Sequence, residues 1–346
     1  MLKHIFTSLL FILFLTSCSK PEPQLFNDSF FTFGTNITIS IYTDDEKLAQ
    51  TGFKTIRDEF RTLNNQLHPW NPSELHSLNA AISKSQPHQL SPLLHLMITE
   101  GQRFHKLSSG LFDPAVGSLV KLWKFDQAAN IHTSIPKDSD IKQILSKRPS
   151  ISEITIDQNM AVSSNDLVRL DFGGFAKGYA TDKAIEMLQN LGINNAIVNA
   201  GGDLSAIGSK NNFPWKIGIR NPFYNGAIAA ISTNERTNIF TSGNYERYFE
   251  KDGTRFHHII DPNTGYPSVE IASATVIHDS GILADAAATA LMVAGLNNWK
   301  QTAKSMDITK IMLISSDKRI YITPQMDKLV TILDTGLTKV VEDIHQ

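Results

Sequence analysis

Cysteine is nearly absent from this sequence: Cys18 is the only one in 346 residues. No internal disulfide can form, and beyond position 18 there is no thiol nucleophile and no thiolate metal site. Neither sign of charge is in surplus. Lysine and arginine number 32 against 34 aspartates and glutamates, a formal net charge of −2, with no basic stripe and no acidic tail. Nothing in that balance points to nucleic acid as a partner. Internal repeats and low-complexity tracts are also missing, which sets aside repeat architectures. What is present is ordinary globular composition, 41% hydrophobic and 19% charged, in a chain long enough for a large core.

The apolar run Ile5–Leu15 is too short to span a bilayer. Preceded by Lys3 and His4, it fits the apolar region of a secretory signal. Leu15-Thr16-Ser17-Cys18 then resembles a bacterial lipobox, in which the cysteine is lipidated and becomes the mature N-terminus. The expectation is a signal peptide over residues 1–17 and a lipidated, polar, Pro-containing tether over 18–29. A single large unit over 30–346 follows. The protein would sit in a bacterial cell envelope, on the periplasmic side, anchored to the membrane through lipid on Cys18.

Along the chain, Thr35–Tyr42 alternates apolar and polar residues, the signature of a half-buried strand. A long amphipathic helix is expected over about 46–66. Asn71-Pro72-Ser73-Glu74 reads as a helix start with Asn71 as cap, and Ser91-Pro92 as another that runs to about Ser108. A short helix is expected near 138–145, strands near 154–156 and 167–170, and a helix over 175–191. Strands then follow near 196–199, 215–219, 227–231, 239–241, 257–260 and 273–277. A helix over 283–294 interrupts before strands near 308–314 and 319–322. Helices early and strands late favour α+β over a doubly wound parallel sheet.

Several segments could carry chemistry. In LDFGGFAKGYATDKAIEML (170–188), two glycines let backbone approach a ligand closely. The helix that follows offers unpaired N–H groups and a dipole end to an anion, and Lys177 adds a cation. The spacing is neither a P-loop nor the dinucleotide fingerprint. Alone, the stretch reads equally as an ordinary strand–helix turn. Asn199-Ala200-Gly201-Gly202-Asp203 is either a second close-approach loop or a hairpin turn. In His257-His258-Ile259-Ile260-Asp261, the two histidines face opposite sides of a strand, so they make no simple two-histidine metal site. One could meet a substrate and move a proton, or be merely packed. Asp285 and Thr289 are four apart on one helix face. They are hard oxygen ligands of the kind Mg²⁺ takes, or a dipole-favoured carboxylate beside a packed threonine.

Taken together and in order, these segments resemble the ApbE family of FAD:protein FMN transferases. The match runs from Phe33-Gly34-Thr35 to the Asp285–Thr289 helix. It includes FDPAVGSLVKLW (112–123), DFGGFAKGYATD, VNAGGD, SGNYERYF, HIIDPNTGYP and ADAAATA. The resemblance implies an α+β fold with a mostly antiparallel sheet packed with helices. It implies Mg²⁺-dependent transfer of the FMN half of FAD to a threonine or serine hydroxyl of a redox subunit, with release of AMP. Hydrolysis of FAD to FMN and AMP, or FAD binding without chemistry, are the alternatives. Carried over residue by residue, the magnesium site is Asp285, Thr289 and the Gly174 carbonyl. The FAD contacts are Phe33, Trp70, Phe112, Asp113, Asp171, Lys177 and Ile259. His258 is the candidate base, with Lys177 as a charge at the phosphates. Three departures stand out. Phe33 replaces the family's methionine, Asn244 replaces an aspartate, and the early SEL motif is one residue shorter.

Overall fold

The computed structural model of the protein describes residues 22–127 and 134–345. The expected signal peptide and Cys18 lie outside the described residues. At the centre is a nine-stranded sheet, built in the order Gln24–Thr32, Thr35–Thr43, Ala196–Ala200, Asp203–Ile207, Thr237–Gly243, Ile271–Ile277, Lys310–Ser315, Arg319–Ile322 and Thr338–Val341. Every pairing is antiparallel except the last, which is parallel. The fold is α+β, as expected. Among the described residues no helix is long and apolar enough to cross a membrane.

Both faces of the sheet are covered. On one, Ile37, Ile39 and Ile41 project inward from their strand, fully buried, as the alternation predicts. They meet Phe53, Ile56 and Phe60 of the helix Glu46–Leu67 and Ala184 and Leu188 of the helix Ala176–Asn190. On the other face, Ile239, Met312 and Ile320 pack against Trp215, Ile217 and Ile231 of a smaller sheet. Sandwiched between, every residue of Ile271–Ile277 is buried. That is why small or apolar residues fill both faces of this strand, and even Ser273 and Thr275 are fully buried.

Four expectations need correction. The folded part starts before residue 30, because Gln24–Thr32 pairs residue for residue with Thr35–Thr43. It is an edge strand with no fully buried residue, so Asn27, Asp28 and Ser29 gave it the look of a tether. The two strands are joined by Phe33 and Gly34, both left-handed at φ 51° and 69°, which makes a two-residue hairpin turn. The helix near 74 is capped by Ser73, whose hydroxyl accepts the His76 N–H at 2.9 Å. Asn71 is unavailable because it folds back on the His68 ring.

Residues 167–170 form no strand, only a one-residue bridge between Arg169 and Val116. The buried amide of Asn79 substitutes for a neighbouring strand, accepting the Leu170 N–H at 2.7 Å and donating to the Leu170 carbonyl at 2.9 Å. The strand expected over 257–260 ends at His257. Beyond it, Ile260 bridges to Pro267 around the turn at Asp261-Pro262.

A fourth cluster holds the hairpin formed by Tyr248–Lys251 and Thr254–His257. The Trp123 ring stacks on Phe125 and Phe256, and its N–H donates to the Gly265 carbonyl at 2.8 Å. Asn79→Ala removes both backbone bonds at Leu170 and opens a cavity. It is expected to cost about 2–3 kcal/mol, read as a lower midpoint in chemical denaturation. A midpoint within error of wild type would show that loops alone hold this segment.

Candidate active site

The glycine turn is fixed from several sides. Asp171 accepts the Gly173 N–H at 2.9 Å and donates its own N–H to the Pro114 carbonyl at 2.8 Å. Neither Gly173 nor Gly174 adopts a left-handed φ. Gly174 is small for want of room: a Cβ there would stand 3.1 Å from the Phe112 ring and 3.6 Å from the Thr289 hydroxyl. Phe112 is itself locked edge-to-face with Phe104 and Phe175.

Lys177 lies in the first turn of the helix Ala176–Asn190. Its ammonium donates to the Gly173 carbonyl at 3.0 Å and stands 3.1 Å from Asp203 and 3.7 Å from Asp285. Asp203 also accepts the Thr241 N–H at 3.1 Å, and Asp285 accepts the Gly178 N–H at 2.9 Å. Burial alone would lower the pKa of Lys177, but the two carboxylates outweigh it and hold the ammonium charged. Burial pushes Asp203 and Asp285 above the ordinary carboxylate value, and Lys177 offsets this only in part. The sequence pointed to an exogenous anion at this helix N-terminus. The structure puts Asp285 there, on the Gly178 N–H.

Thr289 sits one turn beyond Asp285, with its hydroxyl 3.1 Å from that of Ser242. Gly174 thus lies against Thr289, with Asp285 one turn before it on the same helix. Around them, one ammonium against two carboxylates leaves a formal charge of −1. The donors are a carboxylate, a hydroxyl and a carbonyl, all hard oxygens. Among the described residues, no three His, Cys, Asp or Glu side chains are grouped to bind a metal. A cation here must therefore be content with few protein ligands, which fits Mg²⁺.

His258 extends the hairpin register by one residue, opposite Arg247. Its N–H donates to the Arg247 carbonyl at 3.0 Å, and its Nδ1 lies 3.3 Å from the same oxygen. A carbonyl only accepts, so Nδ1 carries the proton and Nε2 keeps a free lone pair. Burial, then the charges of Arg247, His257 and Lys177, hold this imidazole well below its ordinary pKa. It is neutral at physiological pH. His257 points the other way, buried against the Ser268 carbonyl, with its pKa lowered to about 4.

The remaining candidates divide. The Trp70 ring lies under the Arg169 guanidinium at 4.6 Å, close to Asp171 in the fold. Phe33 packs edge-on against Phe60, and its N–H donates to Asn64. Asp113 turns inward, accepting the Ala115 and Ile151 N–H groups and pairing with His105 at 3.0 Å. Ile259 is 6% exposed; its N–H donates to His257 Nδ1 and its carbonyl accepts the Ser268 N–H. Asp203, Ser242 and Arg247 received no role from the sequence. The signal for Asp203 was an acid directly after a glycine pair in a tight hairpin turn. Lys177→Met leaves its two carboxylates unpaired and is expected to destabilise the fold by about 3–5 kcal/mol near neutral pH. Both acids then have folded pKa values further above their unfolded ones. The folded state therefore binds more protons as pH falls, and the deficit shrinks toward acid. A deficit that grows toward acid, measured by denaturation across pH, would refute this arrangement.

With this geometry in place, comparison with known proteins is direct. Residues 33–313 match the model of the ApbE family. A FAD:protein FMN transferase of Rhodobacter capsulatus is 37% identical over 318 residues, covering 92% of this chain and 60% of that protein. One from Vibrio cholerae is 32% identical, covering 88% of this chain and 92% of that protein. The crystal structure of an ApbE protein from Thermotoga maritima superposes with a TM-score of 0.80 at 28% identity, over 88% of this chain and 99% of that one. The chain belongs to the ApbE family.

Proposed function

We propose that this ApbE-family transferase moves the FMN half of FAD to a threonine or serine hydroxyl of a redox subunit and releases AMP. One observation carries the reading. A net-negative cluster of hard oxygen donors about Lys177 lies near enough to a neutral imidazole, with Nε2 free, for the Lys177 charge to act on it. The pairing suits attack of a hydroxyl on a phosphorus. The names of the relatives support the same activity.

The acceptor oxygen bonds to the FMN phosphorus, the bridging P–O bond breaks, and AMP leaves. His258 takes the acceptor proton at Nε2, and Arg247 holds the ring in the tautomer that can do so. Gly174, Asp285 and Thr289 would hold Mg²⁺, which when bound supplies Lewis-acid charge at the phosphate oxygens. Lys177 favours the ionised form of Asp285 and offsets part of the penalty of its burial. The glycine turn lets the phosphates approach backbone, while Trp70 and Phe33 offer aromatic surface on the flavin side. A lipid anchor on Cys18 would place this chemistry at the periplasmic face of a membrane.

Incubation with FAD, Mg²⁺ and an acceptor subunit should leave a fluorescent, denaturation-resistant flavin on the acceptor. EDTA should abolish it, and labelling indifferent to EDTA would sink the metal assignment. The base must be unprotonated, and its folded pKa lies below 6.5. The acid limb of kcat/KM should therefore fall below that pH, with rates flat through it. His258→Ala should lose that limb along with about 10²–10⁴-fold in rate. Unimpaired transfer in this variant would rule out the base role.

A further inference from the structure

The cations at this site are not equally free to meet a substrate. Lys177 is committed to Asp203, Asp285 and the Gly173 carbonyl, and the group it belongs to is negative overall. A diphosphate diester is doubly anionic, so Lys177 has little charge left to offer it.

Arg247 is placed differently. It is exposed, at the base of the hairpin and directly opposite His258 in the register. Its Nη1 donates to a neutral partner, the Phe125 carbonyl, at 3.3 Å. The acids around it are engaged elsewhere. Glu246 stands 3.7 Å from Arg220, Glu250 stands 3.0 Å from Arg255, and Asp203 stands 3.1 Å from Lys177. Among the described residues no carboxylate lies within ion-pair distance of Arg247. Its charge nevertheless reaches the centre of the site, where it acts on both His258 and Lys177. The aromatic cluster of Trp123, Phe125, Phe249 and Phe256 fixes the hairpin that carries it.

We propose that Arg247 is a substrate-binding residue whose guanidinium takes the diphosphate oxygens of FAD, beside the phosphorus that His258 serves. This rests on the transferase reading above. A guanidinium presents paired N–H donors that match phosphate oxygens, and only one of its five donors is given to Phe125. The same backbone position would then do two things: its carbonyl sets the tautomer of the base, and its side chain sets the phosphate in front of that base.

The test is FAD binding by flavin fluorescence in magnesium-containing buffer, for wild type, Arg247→Gln and Arg247→Lys, with denaturation midpoints measured alongside. Arg247→Gln should raise the Kd for FAD by about 10- to 100-fold with its midpoint unchanged, the loss of a charged hydrogen-bonding contact. Arg247→Lys keeps the charge but not the fork and should fall between. In transfer assays the acid limb of kcat/KM should move to higher pH in Arg247→Gln. Arg247, His257 and Lys177 are the charged or titratable groups facing His258, and removing one positive charge raises its pKa. An unchanged Kd would overturn the proposal, as would a Kd that rises only in step with a falling midpoint. Wild-type protein that fails to bind FAD would refute the transferase reading and this inference with it. Wild-type binding with an indifferent Arg247→Gln would refute only the role of Arg247.

Discussion

Two buried carboxylates share one ammonium, and the architecture of the site follows from that shortage. Asp203 arrives on a hairpin turn of the large sheet, Asp285 on the helix run Gly281–Ser305, and Lys177 on the helix Ala176–Asn190. None can be buried without the others, because a lone charge in the interior costs several kcal/mol. The two helices also cap each other. Asp285 takes the Gly178 N–H, and Asp182, on the helix of Lys177, takes the N–H groups of Gly281 at 2.6 Å and Ile282 at 3.3 Å. Each helix thus supplies the anion that the other's N-terminus needs. They cross so closely that a Cβ on Gly178 would strike the Gly281 carbonyl, so no other residue fits there without moving a helix.

The half of the site that carries His258 is built on separate foundations. The hairpin bearing Arg247 and His258 is held by stacked aromatic rings, with one cross-strand ion pair between Arg255 and Glu250. Its register puts the His258 imidazole against a carbonyl of the facing strand. Rigidity comes from packing and tautomer from one hydrogen bond. The low pKa comes from burial plus the positive charges nearby. The ion cluster and the base are therefore set by different forces, and a substitution that loosens one can leave the other intact.

Much of this was legible in the sequence wherever one residue's neighbours along the chain determine its environment. The alternation of Thr35–Thr43, the Ser91 cap with Pro92 behind it, and the Asp285–Thr289 spacing all survive in the structure. What was illegible depends on partners far away in sequence. Leu170 looks like a strand residue, yet its partner is the side chain of Asn79, 91 positions earlier. The edge strand Gln24–Thr32 buries no residue fully, so its composition carries no core signal. Asp203 was seen as a turn residue, since nothing local reveals that Lys177 waits across the turn. At the helix N-terminus the sequence shows room for an anion but not that the Gly178 N–H already goes to Asp285, because Asp285 lies 107 residues away.

The groups available for chemistry are those that folding leaves over. Near the site nearly every charged side chain has a partner: Asp113 has His105, Glu246 has Arg220, and Lys177 has its two aspartates. Asp171 spends one oxygen on the Gly173 N–H, and His257 spends both ring nitrogens on its own chain. Subtracting these commitments, the described residues retain the Nε2 of His258, the open positions about Gly174, Asp285 and Thr289, and the outer N–H groups of Arg247. In the proposed reaction those three would serve as proton acceptor, place for a hard cation and phosphate fork. Hydroxyl attack on a diphosphate needs these three functions. A bare flavin-binding protein would need only the last, which is why the unspent imidazole and oxygen donors argue for turnover and not storage.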